Sequence, residues 1–144
     1  MSYTYTYPRP SVTVDIIVVN KTTAVTKVLL IERKFQPFKN CWALPGGFID
    51  KNENLIEAAH RELKEETHLT GIDLKQFHTF GDTGRDPRGH TVSVVYYGYI
   101  ERHPHKACAG DDAQNIKWFD TDNLPKMAFD HNKILNKFIL EILS

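Results

Sequence analysis

Three glutamates, Glu62, Glu65 and Glu66, are spaced at i, i+3 and i+4 along the chain. In a helix, which turns by about 100° per residue, this spacing brings the three carboxylates onto one face. Like charges at these positions repel, so the pattern indicates that a hard cation such as Mg²⁺ or Mn²⁺, which prefers oxygen ligands, lies between them. The alternative is a solvated helix face, with Arg61 and Lys64 as interleaved counter-charges.

A glycine pair precedes the predicted helix and favours the metal-site interpretation. Gly46 and Gly47 lack a Cβ, so the backbone can approach a ligand closely and offer a carbonyl oxygen to a metal. Within the segment GFIDKNENLIEAAHRELKEETHL, Gly47 is followed by Glu53 and then by Arg61, which comes directly before Glu62. This order and spacing resembles the Nudix box, the signature of the Nudix hydrolase superfamily.

One position departs from the family pattern. His68 stands where the Nudix box has a glycine that helps the chain leave the helix. We interpret His68 as a turn residue rather than a ligand, because histidine tolerates left-handed backbone geometry better than most residues. Gly71 is expected to provide the helix stop, with the helix running slightly longer than in the family.

The resemblance implies a reaction and a metal site. Nudix hydrolases cleave a nucleoside diphosphate linked to another moiety, X, using a divalent metal and an attacking water. By position, Glu62 and Glu66 are expected to bind Mg²⁺ or Mn²⁺, with the carbonyl of Gly46 as a further ligand. Glu65 is implied to be a ligand or a water-positioning base.

The remaining roles implied by the resemblance are less direct. Arg61 and Glu53 match residues that support the catalytic helix through an ion pair and hydrogen bonds. The family takes its general base from different places, so the identity of the base stays open. Asp111 and Asp112, which precede a predicted short strand, are candidates for the base or for an additional ligand; the alternative is a solvated turn.

Two arginines outside the box indicate phosphate or ribose recognition. Arg85 and Arg88 flank Pro87 in a predicted loop, and each guanidinium offers paired donors; an ordinary polar loop is the alternative. The segments GRDPRGHTVSVVYYG, LPGG and AFDH resemble the ADP-ribose pyrophosphatases of the superfamily. This resemblance implies hydrolysis of ADP-ribose to AMP and ribose 5-phosphate. The alternatives are a (modified) nucleoside triphosphate or a dinucleotide as substrate, or a non-catalytic ADP-ribose-sensing module.

Arg33 and Phe38 complete the predicted substrate site. Arg33, at the end of the second predicted strand, could reach the same phosphates or form a salt bridge at the rim. Phe38 lies close to Phe35 and Trp42 before the glycine pair. One of these rings is expected to stack on adenine; packing in the core is the alternative.

The spacing of apolar residues along the chain predicts the strands and helices that position these residues. Apolar and β-branched runs predict strands, and apolar residues at helical spacing predict two helices, the first capped by Asp50 or Asn52. Strands before, between and after two helices predict an α+β fold. With the resemblance, this becomes a Nudix-type α/β/α sandwich with a central mixed sheet and a catalytic loop-helix-loop after the glycine pair. The predicted strands cover residues 12–19, 27–31, 91–100 and 116–119, and the predicted helices cover 53–69 and 134–142.

Composition limits the class of protein. The chain has 144 residues, and its 18 Lys and Arg balance 18 Asp and Glu, which argues against a broadly basic nucleic-acid binder. The length predicts a single domain over residues 1–144, and because about two helical turns follow His131, we expect no added DNA-binding domain. Two cysteines and the lack of an apolar leader or membrane-length run predict a cytoplasmic protein without a membrane partner. The expected partner is a small-molecule nucleotide, and a homodimer is the family-level expectation.

Overall fold

The computed structural model describes residues 2–101, 110 and 113–144. This part of the chain forms seven strands and two α-helices, and the second helix continues into a π-helical segment. The strands are β1 Ser11–Asn20, β2 Lys27–Arg33, β3 Trp42–Ala43, β4 Gly46–Phe48, β5 Lys75–Phe80, β6 Thr91–Ile100 and β7 Ala113–Asp120. The helices are α1 Leu55–Thr67 and α2 His131–Phe138, followed by the π-helical segment Ile139–Leu143.

All seven described strands belong to one mixed sheet. The strand order is β3-β2-β1-β6-β5, with β4 paired to β1 and β7 paired to β2. β1 and β6 are parallel along their whole length, from Ser11 beside Thr91 to Asn20 beside Ile100, whereas β2 is antiparallel to β7. β1 therefore lies inside the sheet, which explains why its sequence becomes apolar on both faces. The predicted central mixed sheet is confirmed.

The two helices cover opposite faces of the sheet. Because side chains alternate along a strand, Val14, Ile16 and Val18 of β1 face the α1 side, while Ile17 and Val19 face the α2 side. The predicted α/β/α sandwich is therefore confirmed. Helix α1 contributes Ala58, Ala59 and Leu63 to the first of these cores, and α2 contributes Ile134, Leu135 and Phe138 to the second.

The start of α1 differs from the prediction. The helix begins at Leu55 after the N-cap residue Asn54, so Asp50 and Asn52 are not its caps. A turn precedes the helix because the carboxylate of Glu53 accepts a hydrogen bond from the backbone N–H of Asp50 (2.9 Å). Asn52 has a φ of 61°, which is outside the helical region. Glu53 thus lies in the loop before the helix.

The end of α1 also differs from the prediction. The helix ends at Thr67, and His68 adopts the left-handed conformation with a φ of 63°. The backbone N–H of His68 donates to the carbonyl of Lys64, which closes the last turn. His68 is the turn residue that we expected, but the predicted continuation of the helix to a stop at Gly71 is wrong.

Three strands, β3, β4 and β5, were not predicted, and each is short or exposed. β5 is an edge strand on β6 whose side chains are exposed or half-buried, so its sequence carries little hydrophobic alternation. The glycine pair lies in β4, which pairs with β1, and not in a simple break between elements. In the part of the chain that the structure describes, none of the helices has the length and apolar character needed to cross a membrane.

Candidate active site

A cleft of about 400 Å³ opens between the sheet, the second half of α1 and the loops that precede β6 and α2. Its lining mixes acidic side chains from β1 and α1 with arginines from β2 and from the loop before β6. Residues far apart in the sequence therefore meet in one cavity. The predicted site residues that line this cleft are Arg33, Gly46, Glu62, Glu66, Arg85 and Arg88.

The three glutamates of α1 do not have equal environments. Glu62 and Glu66 lie on the buried side of the helix, with 8% and 5% of their surface exposed, whereas the Glu65 side chain is 52% exposed. Buried carboxylates are unfavourable unless they are paired, hydrogen-bonded or bound to a cation. Glu62 and Glu66 are thus the two glutamates placed at the wall of the cleft, whereas Glu65 does not line it.

Arg61 connects the carboxylates of the Nudix box. Its Nε and Nη2 donate to the two carboxylate oxygens of Glu53 at 2.7 and 2.8 Å, and its Nη1 donates to Glu62 (2.9 Å) and Glu65 (3.1 Å). The hydrogen bonds from Arg61 and from the backbone of Asp50 lower the pKa of Glu53 to about 2. The same partner, Glu53, raises the pKa of Arg61 above its usual value. Arg61 therefore holds the loop before α1 onto the helix and orients two of its glutamates.

The glycine pair allows β4 to pack closely on both β1 and α1. A Cβ on Gly47 would lie 2.6 Å from Oε1 of Glu62, and a Cβ on Gly46 would lie 2.2 Å from the carbonyl oxygen of Val14. Both distances are shorter than a van der Waals contact. Glycine is therefore required at Gly46, where the contact is with backbone, and at Gly47 the missing side chain provides the space that the Glu62 carboxylate occupies.

The carbonyl of Gly46 is directed away from β1. The N–H of Ile16 donates to the carbonyl of Pro45, which makes these two residues a hydrogen-bonded pair of the antiparallel ladder. Hydrogen-bonded and non-hydrogen-bonded pairs alternate, so the next pair, Gly46 with Asp15, does not exchange hydrogen bonds. Gly46 therefore has a carbonyl available on the side of β4 that faces away from β1.

The donor set fits a hard cation. Among the described residues, no group of three or more His, Cys, Asp or Glu side chains is arranged to hold a metal by itself. Glu62 and Glu66 line the same cleft as Gly46, whose carbonyl adds a third oxygen donor. Two carboxylates and a carbonyl are the ligands that Mg²⁺ and Mn²⁺ prefer, and the remaining positions are commonly filled by water and phosphate.

The arginines of the loop before β6 have different surroundings. Arg85 is almost buried: its Nε and Nη2 donate to Asp130 at 2.7 and 2.9 Å, and its Nη1 donates to the carbonyls of Phe80 and Thr91. Arg85 therefore anchors the loop to the segment before α2, and its main role in the structure is to hold the cleft together. The direct phosphate contact predicted for Arg85 is not supported by this arrangement.

Arg88 is more exposed and is oriented by Asp86. The Arg88 Nη2 donates to Asp86 at 2.8 Å, and its guanidinium lies 5.0 Å from the ring of Phe48. Burial alone raises the pKa of Asp86, but the hydrogen bonds from Arg88 outweigh this effect and hold the pKa below its usual value. Asp86 is therefore charged and keeps Arg88 at the cleft.

Asp15 and His131 form a buried polar pair in the cleft that the sequence analysis did not single out. The N–H of Leu44 donates to Nδ1 of His131 (3.0 Å), so the imidazole proton lies on Nε2, 3.9 Å from Oδ1 of Asp15. Burial raises the pKa of Asp15 and lowers the pKa of His131. A signal was present in the sequence, since Asp15 is the one charged residue within the apolar run of β1.

Two of the remaining predictions have different outcomes. Phe38 does not line this cleft: its ring packs against Phe129 with a centroid distance of 4.8 Å and lines a neighbouring groove. Phe35, from the same predicted group of rings, does line the cleft, and the stacking of one of these rings on adenine stays a prediction. Asp111 and Asp112 lie outside the described residues. Gly110, next to them, donates its N–H to the carbonyl of Glu66 (2.8 Å).

Comparison with known proteins agrees with this architecture. Residues 9–138 match the NUDIX domain. The chain is 43% identical over 133 residues to the ADP-ribose pyrophosphatase of Methanocaldococcus jannaschii, covering 92% of this chain and 75% of that protein. It is 35% identical to the ADPR responsive transcriptional repressor NtrR of Acinetobacter baylyi, over 91% of this chain but 54% of the repressor.

A solved structure gives the same result. The NUDIX domain of Shewanella oneidensis NrtR, complexed with ADP ribose, superposes with a TM-score of 0.87 at 29% identity, covering 96% of this chain and 91% of that one. The mixed sheet between two helices, with a cleft lined by glutamates of α1, is the architecture of Nudix hydrolases. The chain belongs to the NUDIX domain family.

Proposed function

We propose that this protein hydrolyses the pyrophosphate bond of ADP-ribose and releases AMP and ribose 5-phosphate. The observation that carries the proposal is the cleft itself, where the buried carboxylates of Glu62 and Glu66 share one cavity with Arg33 and Arg88. Acidic groups suit a divalent cation and the arginines suit phosphate oxygens, so both parts of a metal–pyrophosphate complex have complementary charges here. The similarity to an ADP-ribose pyrophosphatase at 43% identity supports ADP-ribose as the substrate.

In this proposal Glu62, Glu66 and the carbonyl of Gly46 hold Mg²⁺ or Mn²⁺. When bound, the metal would neutralise charge on the phosphates and lower the pKa of a coordinated water. Glu65, one helical turn from Glu62, would accept a hydrogen bond from that water or join the ligands. Arg61 would orient Glu65 through its present contact of 3.1 Å.

A substrate panel tests this proposal directly. Purified protein with Mg²⁺ would be assayed against ADP-ribose, ADP-glucose, NADH, dinucleoside polyphosphates and modified deoxynucleoside triphosphates. We expect the highest kcat/KM for ADP-ribose, with AMP and ribose 5-phosphate as products. Turnover of none of these compounds would refute the hydrolase assignment, whereas a preference for a triphosphate would refute only the choice of substrate.

Glu66→Gln tests the metal-ligand role. The variant keeps the size of the side chain but removes a buried charge from the cleft. We expect kcat to fall by about 10²- to 10³-fold, because metal stabilisation of transition-state charge contributes several kcal/mol and each 1.4 kcal/mol is a factor of ten. The matched control is Glu57→Gln, an exposed glutamate in the first turn of α1, which should keep kcat within about twofold of the wild type. An unchanged rate for Glu66→Gln would exclude Glu66 as a metal ligand.

A second candidate function is the binding of ADP-ribose without catalysis. It is supported by the 35% identity to a repressor that is described as responsive to ADPR, although this chain spans 54% of that protein. Calorimetric binding of ADP-ribose without any hydrolysis in Mg²⁺ or Mn²⁺ would favour this function. The retained carboxylates of the Nudix box favour the hydrolase.

Assembly and location complete the proposal. A homodimer and a cytoplasmic location follow from the resemblance and from the composition, and they remain predictions. Sedimentation velocity would measure the oligomeric state of the purified chain. A binding assay with labelled duplex DNA would test the expectation that the partner is a small nucleotide and not a nucleic acid. We expect the protein not to bind the DNA at physiological salt.

A further inference from the structure

The ring of Phe129 lies close to two arginines of the cleft, Arg33 and Arg88. The guanidinium carbon of Arg33 is 5.0 Å from the ring centroid, and that of Arg88 is 5.4 Å from it. The rings of Phe38 and His131 are 4.8 and 5.5 Å away. Phe129 is therefore in contact with two of the arginines that line the cleft beside Glu62 and Glu66, and it lines the cleft itself.

The backbone of Phe129 is strained, and neighbouring contacts hold it in place. Its φ of 50° lies in the left-handed region, which is unfavourable for a bulky aromatic residue. On one side, the N–H of Ala128 donates to the carbonyl of Trp42 (2.7 Å); on the other, Asp130 receives the hydrogen bonds of Arg85. Glycine would adopt this conformation without strain, so the strain at Phe129 suggests that its ring has a function.

The ring can hold two like charges close together because its face is electron-rich. Cation–π contacts favour guanidinium groups within about 6 Å of the centroid, and arginine can stack its planar group on a ring. Each arginine is also held from behind, since the Arg33 Nε donates to the carbonyl of Pro37 (2.7 Å) and Arg88 donates to Asp86. These hydrogen bonds anchor each guanidinium, and the ring of Phe129 provides a further contact to both.

We propose that Phe129 is a positioning residue, whose ring places Arg33 and Arg88 to receive the two phosphates of the substrate. This inference rests on the proposed function, because it assumes that the cleft binds a nucleoside diphosphate. Phe129 contributes no donor or acceptor to the substrate and acts through the two arginines. Its loss should therefore weaken substrate binding more than it slows the chemical step.

Phe129→Leu is the primary test, because leucine keeps an apolar side chain under the same backbone strain but has no ring face. We expect KM for ADP-ribose to rise by about five- to thirtyfold, as for the loss of two cation–π contacts, with kcat within about threefold of the wild type. Phe129→Tyr retains the ring and should return KM to within about twofold of the wild type. A purely structural role would instead lower kcat and folded fraction together.

Two variants separate the ring from the backbone and from general packing. Phe129→Gly relieves the positive φ but also removes the packing of the ring on Phe38, so we expect the same rise in KM with no greater loss of thermal stability than in Phe129→Leu. Phe119→Leu is the matched control: Phe119 packs on Trp42 with a centroid distance of 4.9 Å and does not line the cleft. It should lower the melting temperature and leave KM unchanged.

A double-mutant cycle decides whether Phe129 acts through arginine. In an Arg88→Ala background, Phe129→Leu should raise KM by clearly less than it does in the wild type, because one of the two contacts is already lost. Equal effects in both backgrounds, or an unchanged KM for Phe129→Leu, would overturn the inference.

The binding of ADP with Mg²⁺, measured by calorimetry, makes this test independent of turnover. If the wild type fails to hydrolyse ADP-ribose, the proposed function fails, but the same variants still report on phosphate binding through Kd for ADP. A Kd raised by about five- to thirtyfold in Phe129→Leu and restored in Phe129→Tyr would sustain the inference. Wild-type protein that binds no ADP, or equal Kd values for all variants, would overturn it.

Discussion

Arg61 shows how one residue organises several acidic groups. Its guanidinium donates to Glu53, Glu62 and Glu65 and also to the carbonyl of Phe48 (3.1 Å), so it joins a loop, a strand and a helix. Glu62 and Glu65 both accept hydrogen bonds from Arg61, and this shared positive charge offsets the repulsion between them. The chain has no net charge, yet this site is locally acidic, and its geometry depends on a single arginine.

The lowered pKa of Glu53 makes part of the stability depend on pH. A carboxylate whose folded pKa is about 2, below its usual value of 4.5, contributes stability above about pH 4.5 that is lost as the pH falls toward 2. Glu53→Gln should therefore destabilise the protein at about pH 6 and much less at about pH 3, measured by urea unfolding at both values.

The control for this experiment is Glu101→Gln, an exposed glutamate directly after β6. It should change the free energy of unfolding by the same small amount at both pH values. An equal destabilisation by Glu53→Gln at both pH values would show that the Arg61–Glu53 hydrogen bonds do not couple protonation to folding.

Among the elements, α1 shows most clearly how the local sequence sets the limits of the site. Its buried face carries Glu62 and Glu66, and its last turn closes with His68 in the left-handed conformation. The end of the helix matters because Gly110 packs on its last turn. A Cβ on Gly110 would lie 1.6 Å from the carbonyl oxygen of Glu65, so only glycine fits at this position.

His68→Gly is expected to stabilise the protein. His68 is exposed and has a φ of 63°, so glycine removes backbone strain while few side-chain contacts are lost. The gain is about 0.5–1 kcal/mol, after allowing for the greater chain entropy of glycine in the unfolded state, which corresponds to a melting temperature higher by about 1–4 °C. Thermal unfolding followed by circular dichroism measures it.

His68→Ala is the comparison for this prediction, because alanine shortens the side chain but keeps the strain. It should be no more stable than the wild type. A His68→Gly variant that is no more stable than His68→Ala would show that the left-handed conformation is not costly here.

At the scale of the whole molecule, the cleft is a product of the sheet topology. The parallel pairing of β1 with β6 brings the start of both strands together, so Asp15 lies near the loop that carries Arg85 and Arg88. The segment that leads into α2 contributes Phe129 and His131 to the cleft. A ligand in this cleft contacts segments that span most of the chain, and binding should therefore stabilise the whole fold.

Ligand binding should consequently raise the melting temperature. In EDTA, which prevents metal-dependent turnover, ADP-ribose at about 100 times its Kd should add about 2.7 kcal/mol of stability. For a domain of this size, that gain corresponds to a rise of about 5–10 °C in a thermal shift measurement. Arg88→Ala should show a smaller rise at the same ligand concentration, and no rise for the wild type would mean that the cleft does not bind ADP-ribose without metal.

Much of the fold followed from local patterns. The strands over residues 12–19, 27–31 and 91–100 lie within β1, β2 and β6, because long β-branched and apolar runs are strong signals. The exposed edge strand β5 and the short strands β3 and β4 had no such signal, since they become strands only by pairing with neighbours. The N-terminal cap of α1 was misassigned because the Glu53 side chain forms a turn at Asp50 that competes with the helix.

The sequence by itself determined the acidic face of α1, the glycine pair and the family, because helical spacing and backbone requirements are local properties. Only the tertiary structure decided that Glu62 and Glu66 are buried while Glu65 is exposed, and that Arg85 binds Asp130. The roles of Arg85 and Phe129 depend on residues that lie dozens of positions away or in other loops. Such contacts arise from strand order and helix packing, which no short segment of the sequence encodes alone.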